Sequence, residues 1–158
     1  MKTEITNVTS DDINELYLCN KTVLPVYYSK DQYNEFIENI DYILLKAVDE
    51  QNNKTFMGYI IGKMENKKRF HIISFGVYKE YRRHKVGSML MSEIEKAVLN
   101  KFPAIQYISL NVQNINDIAI KFYETTGFKK IRSLEHYYGE NKHGYTFGKK
   151  LGANHNLF

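Results

Sequence analysis

The chain has 158 residues, 43% hydrophobic and 25% charged, which is the size and make-up of one soluble globular domain. A formal charge of +4 suits an anionic ligand or a nucleic-acid surface, against the plainer reading of scattered solubilising lysines. A single cysteine, Cys19, excludes an intrachain disulfide, and no apolar run approaches the roughly 18 residues of a transmembrane helix.

The opening Met-Lys-Thr-Glu-Ile-Thr lacks the apolar stretch of a signal peptide, so the expected location is cytoplasmic. Residues 3–8 alternate polar and apolar and predict a strand. Thr9-x-x-Asp12 has the form of a capping box, and Ile13, Leu16 and Tyr17 then follow at helical spacing. Cys19 falls in this helix, where a buried structural thiol is expected rather than a nucleophile. Leu24-Pro25-Val26-Tyr27-Tyr28 predicts an extended aromatic loop, and a short helix follows around residues 32–37.

Residues 42–48 and 56–64 read as a hairpin closed by a polar stretch, and 70–77 as a continuous apolar strand buried on both faces. A basic turn leads into a helix whose buried face is Val86, Leu90, Ile94, Ala97 and Val98. Residues 107–112 predict a strand with Ile108, Leu110 and Val112 on one side and Tyr107, Ser109 and Asn111 on the other. A helix from Asn116 carries Ala119, Phe122 and Tyr123 and stops at Gly127, before two last strands near 128–134 and 144–151. The predicted order is β-α-α-β-β-β-α-β-α-β-β, a single domain over 1–152 with a short tail at 153–158.

Two segments carry chemistry. A basic turn between a strand and a helix suits phosphate, because the first helical turn presents unpaired N–H groups and the positive end of the dipole. Arg82, Arg83 and Lys85 add charge and Gly87 permits close backbone approach, although a solvated loop with an incidental glycine fits as well. In the second segment, Asn116 suits a helix N-cap, and Tyr123 at the edge of the core stripe suits a core tyrosine with a satisfied hydroxyl.

Together these segments resemble the GNAT acetyltransferases. Arg82-Arg83-His84-Lys85-Val86-Gly87-Ser88 stands where that family has its Q/R-x-x-G-x-G/A pyrophosphate loop. Asn116 through Phe128 stands where it has N-x-x-A-x-x-F-Y-x-x-x-G-F. The resemblance implies an α+β fold with a mixed, mostly antiparallel sheet of six to seven strands flanked by about four helices. It implies acetyl-CoA as cofactor, with the strand end Phe75, Gly76 and Val77 pairing with the pantetheine arm. Asn116 would help hold the cofactor, and the Tyr123 hydroxyl would meet the leaving thioester sulfur. No metal site is read.

Leu24-Pro25-Val26-Tyr27-Tyr28, Tyr81-Arg82-Arg83 and Glu135-His136-Tyr137-Tyr138 are similar to the N-terminal acetyltransferase branch, in particular its NatE and NatF catalytic subunits. That similarity implies a first-residue pocket from Leu24, Pro25 and Val26, and a peptide clamp from Tyr28, Tyr137 and Tyr138. The implied substrates are protein N-termini starting with methionine and a hydrophobic residue, acetylated directly in a ternary complex. A ribosome-associated complex is the implied assembly, with no nucleic-acid or membrane contact of the chain's own. The tail lacks the membrane-binding helix of the NatF type, which leans the reading towards NatE.

The sequence departs from the family pattern at three positions. Lys85 replaces the first loop glycine, His71 replaces the strand tyrosine, and Asn111 replaces the histidine of the next strand. His71 is the expected general base, through a water that Asn111 helps hold, and a histidine merely packed beside Phe70 and Ile73 stands as the rival. His84 is expected on the phosphate side, and His136 stands as an alternative candidate near the amine. Lysine side chains, small amines and a cofactor-binding scaffold subunit remain alternative readings.

Overall fold

A computed structural model describes residues 1–152. Among them seven strands form one sheet, in the order β1-β2-β3-β4-β5-β7-β6. The strands are β1 (Thr3–Asn7), β2 (Tyr42–Asp49), β3 (Thr55–Met64), β4 (Arg69–Val77), β5 (Tyr107–Gln113), β6 (Lys129–Leu134) and β7 (Gly144–Lys150). Four α-helices cover it: α1 (Ile13–Val23), α2 (Lys30–Glu38), α3 (Val86–Lys101) and α4 (Asp117–Thr125). The element order is the expected one, and every neighbouring pair is antiparallel except β4 with β5. The predicted tail at 153–158 lies outside the described residues.

Two cores sandwich the sheet. On one face Leu90, Met91, Ile94 and Val98 of α3 pack against Ile43, Leu45, Phe70, Ile72, Ile108 and Leu110. On the other, Ile13, Leu16 and Cys19 of α1 and Tyr33 of α2 pack against Leu44, Tyr59 and Ile61. The alternation of β2 sends Ile43 and Leu45 to the first core and Tyr42 and Leu44 to the second, as period-two geometry requires. Ala97 is only partly buried at the edge of the α3 stripe.

The helix boundaries follow from local chemistry. Thr9 and Asp12 form the capping box ahead of α1, and Ser29 and Gln32 form another on α2. The Asn116 side chain accepts the Ala119 N–H at 3.2 Å, which caps α4. Gly127, at φ +98°, ends that helix in a conformation that glycine adopts without a Cβ penalty.

β4 is not buried on both faces, contrary to the expectation. Its residues alternate between buried and half-buried. The reason is a bulge at Ile73, which lies between Ile72 paired with Gly62 and Ser74 paired with Ile61. Before the bulge Phe70 and Ile72 face α3; after it Phe75 and Val77 do, beside a gap that leaves them half open.

Candidate active site

The gap is a consequence of register. β4 and β5 run parallel and pair only from Arg69 with Tyr107 to Ile72 with Leu110. Beyond that point β5 stays with β7 through Gln113, while Ile73–Val77 of β4 diverge from it. A slot therefore opens through the sheet, with a strand edge of β4 along one wall. Phe75 of that wall packs on Phe122 and Tyr123 of α4, with ring centroids 5.8 Å and 6.5 Å apart. Burial pushes the Tyr123 phenol up to about 12, so it is protonated at neutral pH.

At the end of β4 the chain turns into α3. Arg83 (φ 67°) and Lys85 (φ 61°) both adopt left-handed backbone, and Arg82 Nε donates to the Val77 carbonyl at 3.2 Å. Alternating left-handed residues ahead of a helix N-terminus form a concave set of N–H groups suited to an anion. Arg82, Arg83, His84 and Lys85 are exposed around it. A Cβ on Gly87 would come within 3.3 Å of the Phe75 ring, so the small residue keeps the helix start close to the slot. Val86 is buried under the helix and Ser88 is exposed.

Lys85 occupies the left-handed N-cap that suits glycine, at a cost of roughly 1–2 kcal/mol for a residue with a side chain. Glycine there would give back part of that gain through greater freedom of the unfolded chain, roughly 0.4–1 kcal/mol. Lys85→Gly is expected to stabilise the fold by about 0.5–1 kcal/mol, a Tm rise of about 2 °C on a thermal melt. It is also expected to weaken binding of a polyanionic ligand modestly at low salt, because a cation leaves the cradle.

On the opposite face of the sheet two aromatic loops meet. The loop 24–28 leaves Val26 67% and Tyr27 48% exposed, while Tyr28 turns inward onto Tyr33 and Phe36. The 135–143 loop presents Tyr137, 58% exposed, edge-on to Tyr138 at 4.9 Å. The Tyr28 and Tyr137 phenols lie close enough that ionising one opposes ionising the other, and the same holds for Tyr123 and Tyr138. Tyr138 lies on the backbone at Gly144, where a Cβ would come within 2.4 Å of its ring. The two loops thus converge where the slot opens.

His71 and Asn111 lie on this same face, opposite in phase to Phe70, Ile72, Leu110 and Val112. His71 Nδ1 is 2.7 Å from Ser109 Oγ, its register partner, and Ser109 is fully buried. Burial lowers the His71 pKa from its ordinary value, Glu65 opposes this, and Arg69, Lys63 and Arg132 reinforce it. Asn111 Oδ1 accepts the Thr146 hydroxyl at 2.8 Å. His136 is held within its loop: its N–H donates to His143 Nδ1 and its Nδ1 accepts from Asn141 N–H, each at 3.0 Å. Cys19 is inert as expected, fully buried with its thiol pushed up to about 12.

Residues 10–128 match the acetyltransferase (GNAT) family. The chain belongs to that family. It is 31% identical to an N-alpha-acetyltransferase of Saccharolobus solfataricus, over 92% of this chain and 91% of that protein. It is also 31% identical to the N-terminal acetyltransferase A complex catalytic subunit NAA10 of Arabidopsis thaliana, over 96% of this chain and 80% of that one. Arabidopsis thaliana NAA60, solved in complex with acetyl-CoA, shares the fold with a TM-score of 0.82 at 19% identity, over 94% and 98% of the two chains.

Within this GNAT frame the structure brings together His71, Asn111 and the slot, Phe75 with Tyr123, and the tyrosines of the two loops. His84 stays on the cradle side. Several residues escaped the sequence reading. Ser109 stood in plain view on the polar side of its strand, but its partner His71 is 38 positions away. Thr146 and Arg132 arrive through the pairing of β5, β7 and β6, with Arg132 Nε 3.5 Å from Thr146 Oγ1.

Proposed function

We propose that this protein is an acetyl-CoA-dependent N-α-acetyltransferase that acts on free N-termini of proteins, favouring methionine followed by a hydrophobic residue. The observation that carries this reading is the convergence of the tyrosine-bearing loops at the open end of the β4–β5 slot. An extended peptide needs backbone partners along its length and an apolar pocket at its first side chain. Tyr28, Tyr137 and Tyr138 supply the first, and Leu24, Pro25 and Val26 the second. The N-α-acetyltransferase relatives support the same substrate class.

The chain's residues fit the cofactor. The helix start at Val86–Ser88, the left-handed turn and the flanking arginines suit a pyrophosphate, and the edge of β4 at Phe75–Val77 suits an amide-bearing arm. Asn116 and Tyr123 complete the holding set on the α4 side. When bound, acetyl-CoA supplies an acetyl group activated as a thioester, whose C–S bond is exchanged for an amide C–N bond.

For its part, the chain moves two protons. With Nδ1–H donated to Ser109 Oγ, His71 presents Nε2 as an acceptor, directly or through one water, for the proton lost by the amine. Asn111, its oxygen held by Thr146, offers its NH2 to that water. The Tyr123 hydroxyl, kept protonated, donates its proton to the departing sulfur and is reprotonated from solvent as His71 gives up the amine proton. An α-amine with an ordinary pKa near 7.7–8.0 is partly neutral at pH 7.5, so a single histidine suffices. A lysine amine near 10.4 would need roughly two to three orders of magnitude more assistance.

The test is acetyl transfer to short peptides starting Met-Leu, Met-Lys and Ser-Glu, beside an N-terminally blocked peptide containing lysine. Transfer to the Met-starting peptides and none to the blocked one is expected. Acetylation of the blocked peptide would move the assignment to lysine side chains, and cofactor binding without any transfer would make the chain a scaffold. The reading also places the protein in the cytoplasm, in a ribosome-associated acetyltransferase complex of NatE type, which co-sedimentation with ribosomes checks.

A further inference from the structure

Asn20 sits in the last turn of α1, four residues after Leu16 on the stripe that faces the sheet, and it is completely buried. A buried carboxamide is costly unless its donors and acceptors are met. Its partners here lie mainly in the loop that follows. Its backbone carbonyl accepts the Leu24 N–H at 3.1 Å. Its Nδ2 donates to the Val26 carbonyl, and its Oδ1 accepts the Tyr28 N–H, each at 3.2 Å. The Tyr33 hydroxyl also donates to Oδ1. Its side chain therefore grips the loop 24–28 at two positions, Val26 and Tyr28, beyond the backbone bond that closes the helix at Leu24.

The grip matters at the middle of the loop, where Val26 is largely exposed and Tyr27 rests edge-on against Tyr17; Tyr28 packs inward onto Tyr33 and Phe36. The anchor also reaches the opposite wall of the cleft. The Tyr59 hydroxyl interacts with the Asn20 side chain and lies 2.8 Å from Ser74 Oγ, and Ser74 belongs to β4 just past its bulge. A buried polar chain thus runs from the strand beside the slot to the loop above it.

We infer that Asn20 is the positioning residue for the first-residue pocket. It sets the backbone of Leu24–Tyr28, and so decides both the pocket's shape and its discrimination among substrate side chains, without touching the substrate. This rests on the reading of that loop as the pocket of an N-α-acetyltransferase. Losing the carboxamide frees the Val26 carbonyl and the Tyr28 N–H from their common holder, so the loop samples other conformations. The productive fraction of the pocket falls, and with it the apparent peptide affinity. The cofactor cradle at Arg82–Ser88 makes none of these contacts.

The experiment compares the full chain with Asn20→Ala and the near-isosteric Asn20→Asp, which retains acceptors but loses the donor to Val26. Steady-state KM and kcat are measured for Met-Leu and Ser-Glu peptides and for acetyl-CoA. Peptide KM is expected to rise about tenfold or more, the size of a lost buried hydrogen bond, with the preference for Met-Leu collapsing. The KM for acetyl-CoA is expected to stay within about twofold, since its site is untouched. A fall in kcat common to all peptides with selectivity intact would overturn the inference, as would loss of a cooperative melt in both variants. Absence of transfer by the wild type to any free N-terminus would instead overturn the parent reading of the loop.

Discussion

His71→Ala is expected to lower kcat for a Met-Leu peptide by about 100- to 1,000-fold, the range of a lost general base, while the KM for acetyl-CoA changes little. The pH profile makes the result specific. A general base must be neutral, and burial lowers the His71 pKa below the ordinary value of 6.5. The neutral form therefore persists to lower pH than for a free imidazole, and the acid limb of kcat/KM in the wild type should lie below 6.5. In the alanine variant that limb should vanish, leaving the titration of the substrate α-amine near 7.7–8.0. Ser109→Ala should fall between the two, because it frees the tautomer that holds Nε2 as acceptor. A variant that keeps full kcat and the acid limb would remove His71 from the mechanism.

The same shift has a consequence for stability. A histidine whose folded pKa is depressed favours the folded state above its unfolded value and loses that contribution as pH falls through the folded one. Acidification from about 6.5 downward should therefore cost the wild type more than His71→Ala, in denaturant melts at matched pH. Cations at Lys63, Arg69 and Arg132 increase this sensitivity, and Glu65 moderates it.

The sequence made the strands and helices legible because their signals are local. Capping boxes at Thr9 and Ser29, the left-handed stop at Gly127 and the alternation of Tyr107–Val112 each declare an element within a few residues. What it hid depends on register. A one-residue bulge at Ile73 moves Phe75 to the face of Phe70, and no composition rule in the run Phe70–Val77 marks where the bulge falls. The bond between His71 and Ser109 needs a parallel pairing across an intervening helix. Asn20 was the readable omission: a polar residue on the apolar stripe of α1 is the kind of conflict that signals a special task. Lys85 was legible as a departure, and its φ of 61° shows that the turn keeps the glycine-like conformation with a lysine in it.

The second large effect is expected at the other end of the slot. Tyr123 packs against Phe75, Phe122, Phe128 and Phe147, and the Tyr138 phenol also acts on its ionisation. With its pKa pushed up to about 12, the Tyr123 hydroxyl keeps its proton, and so can donate it, across the working pH range. Tyr123→Phe keeps the ring and its packing and removes that donor. The expected result is a fall in kcat of about 10- to 100-fold, with peptide KM nearly unchanged, as for a contact made in the transition state alone. No new pH limb should appear between pH 6 and 9, since the lost group does not titrate there. A poorer leaving group should magnify the loss and a better one shrink it, so comparing acetyl thioesters whose thiols differ in pKa separates proton donation from packing. If Tyr123→Phe lost the same factor with every thioester, the hydroxyl would be a packing element and the proton for the sulfur would come from water.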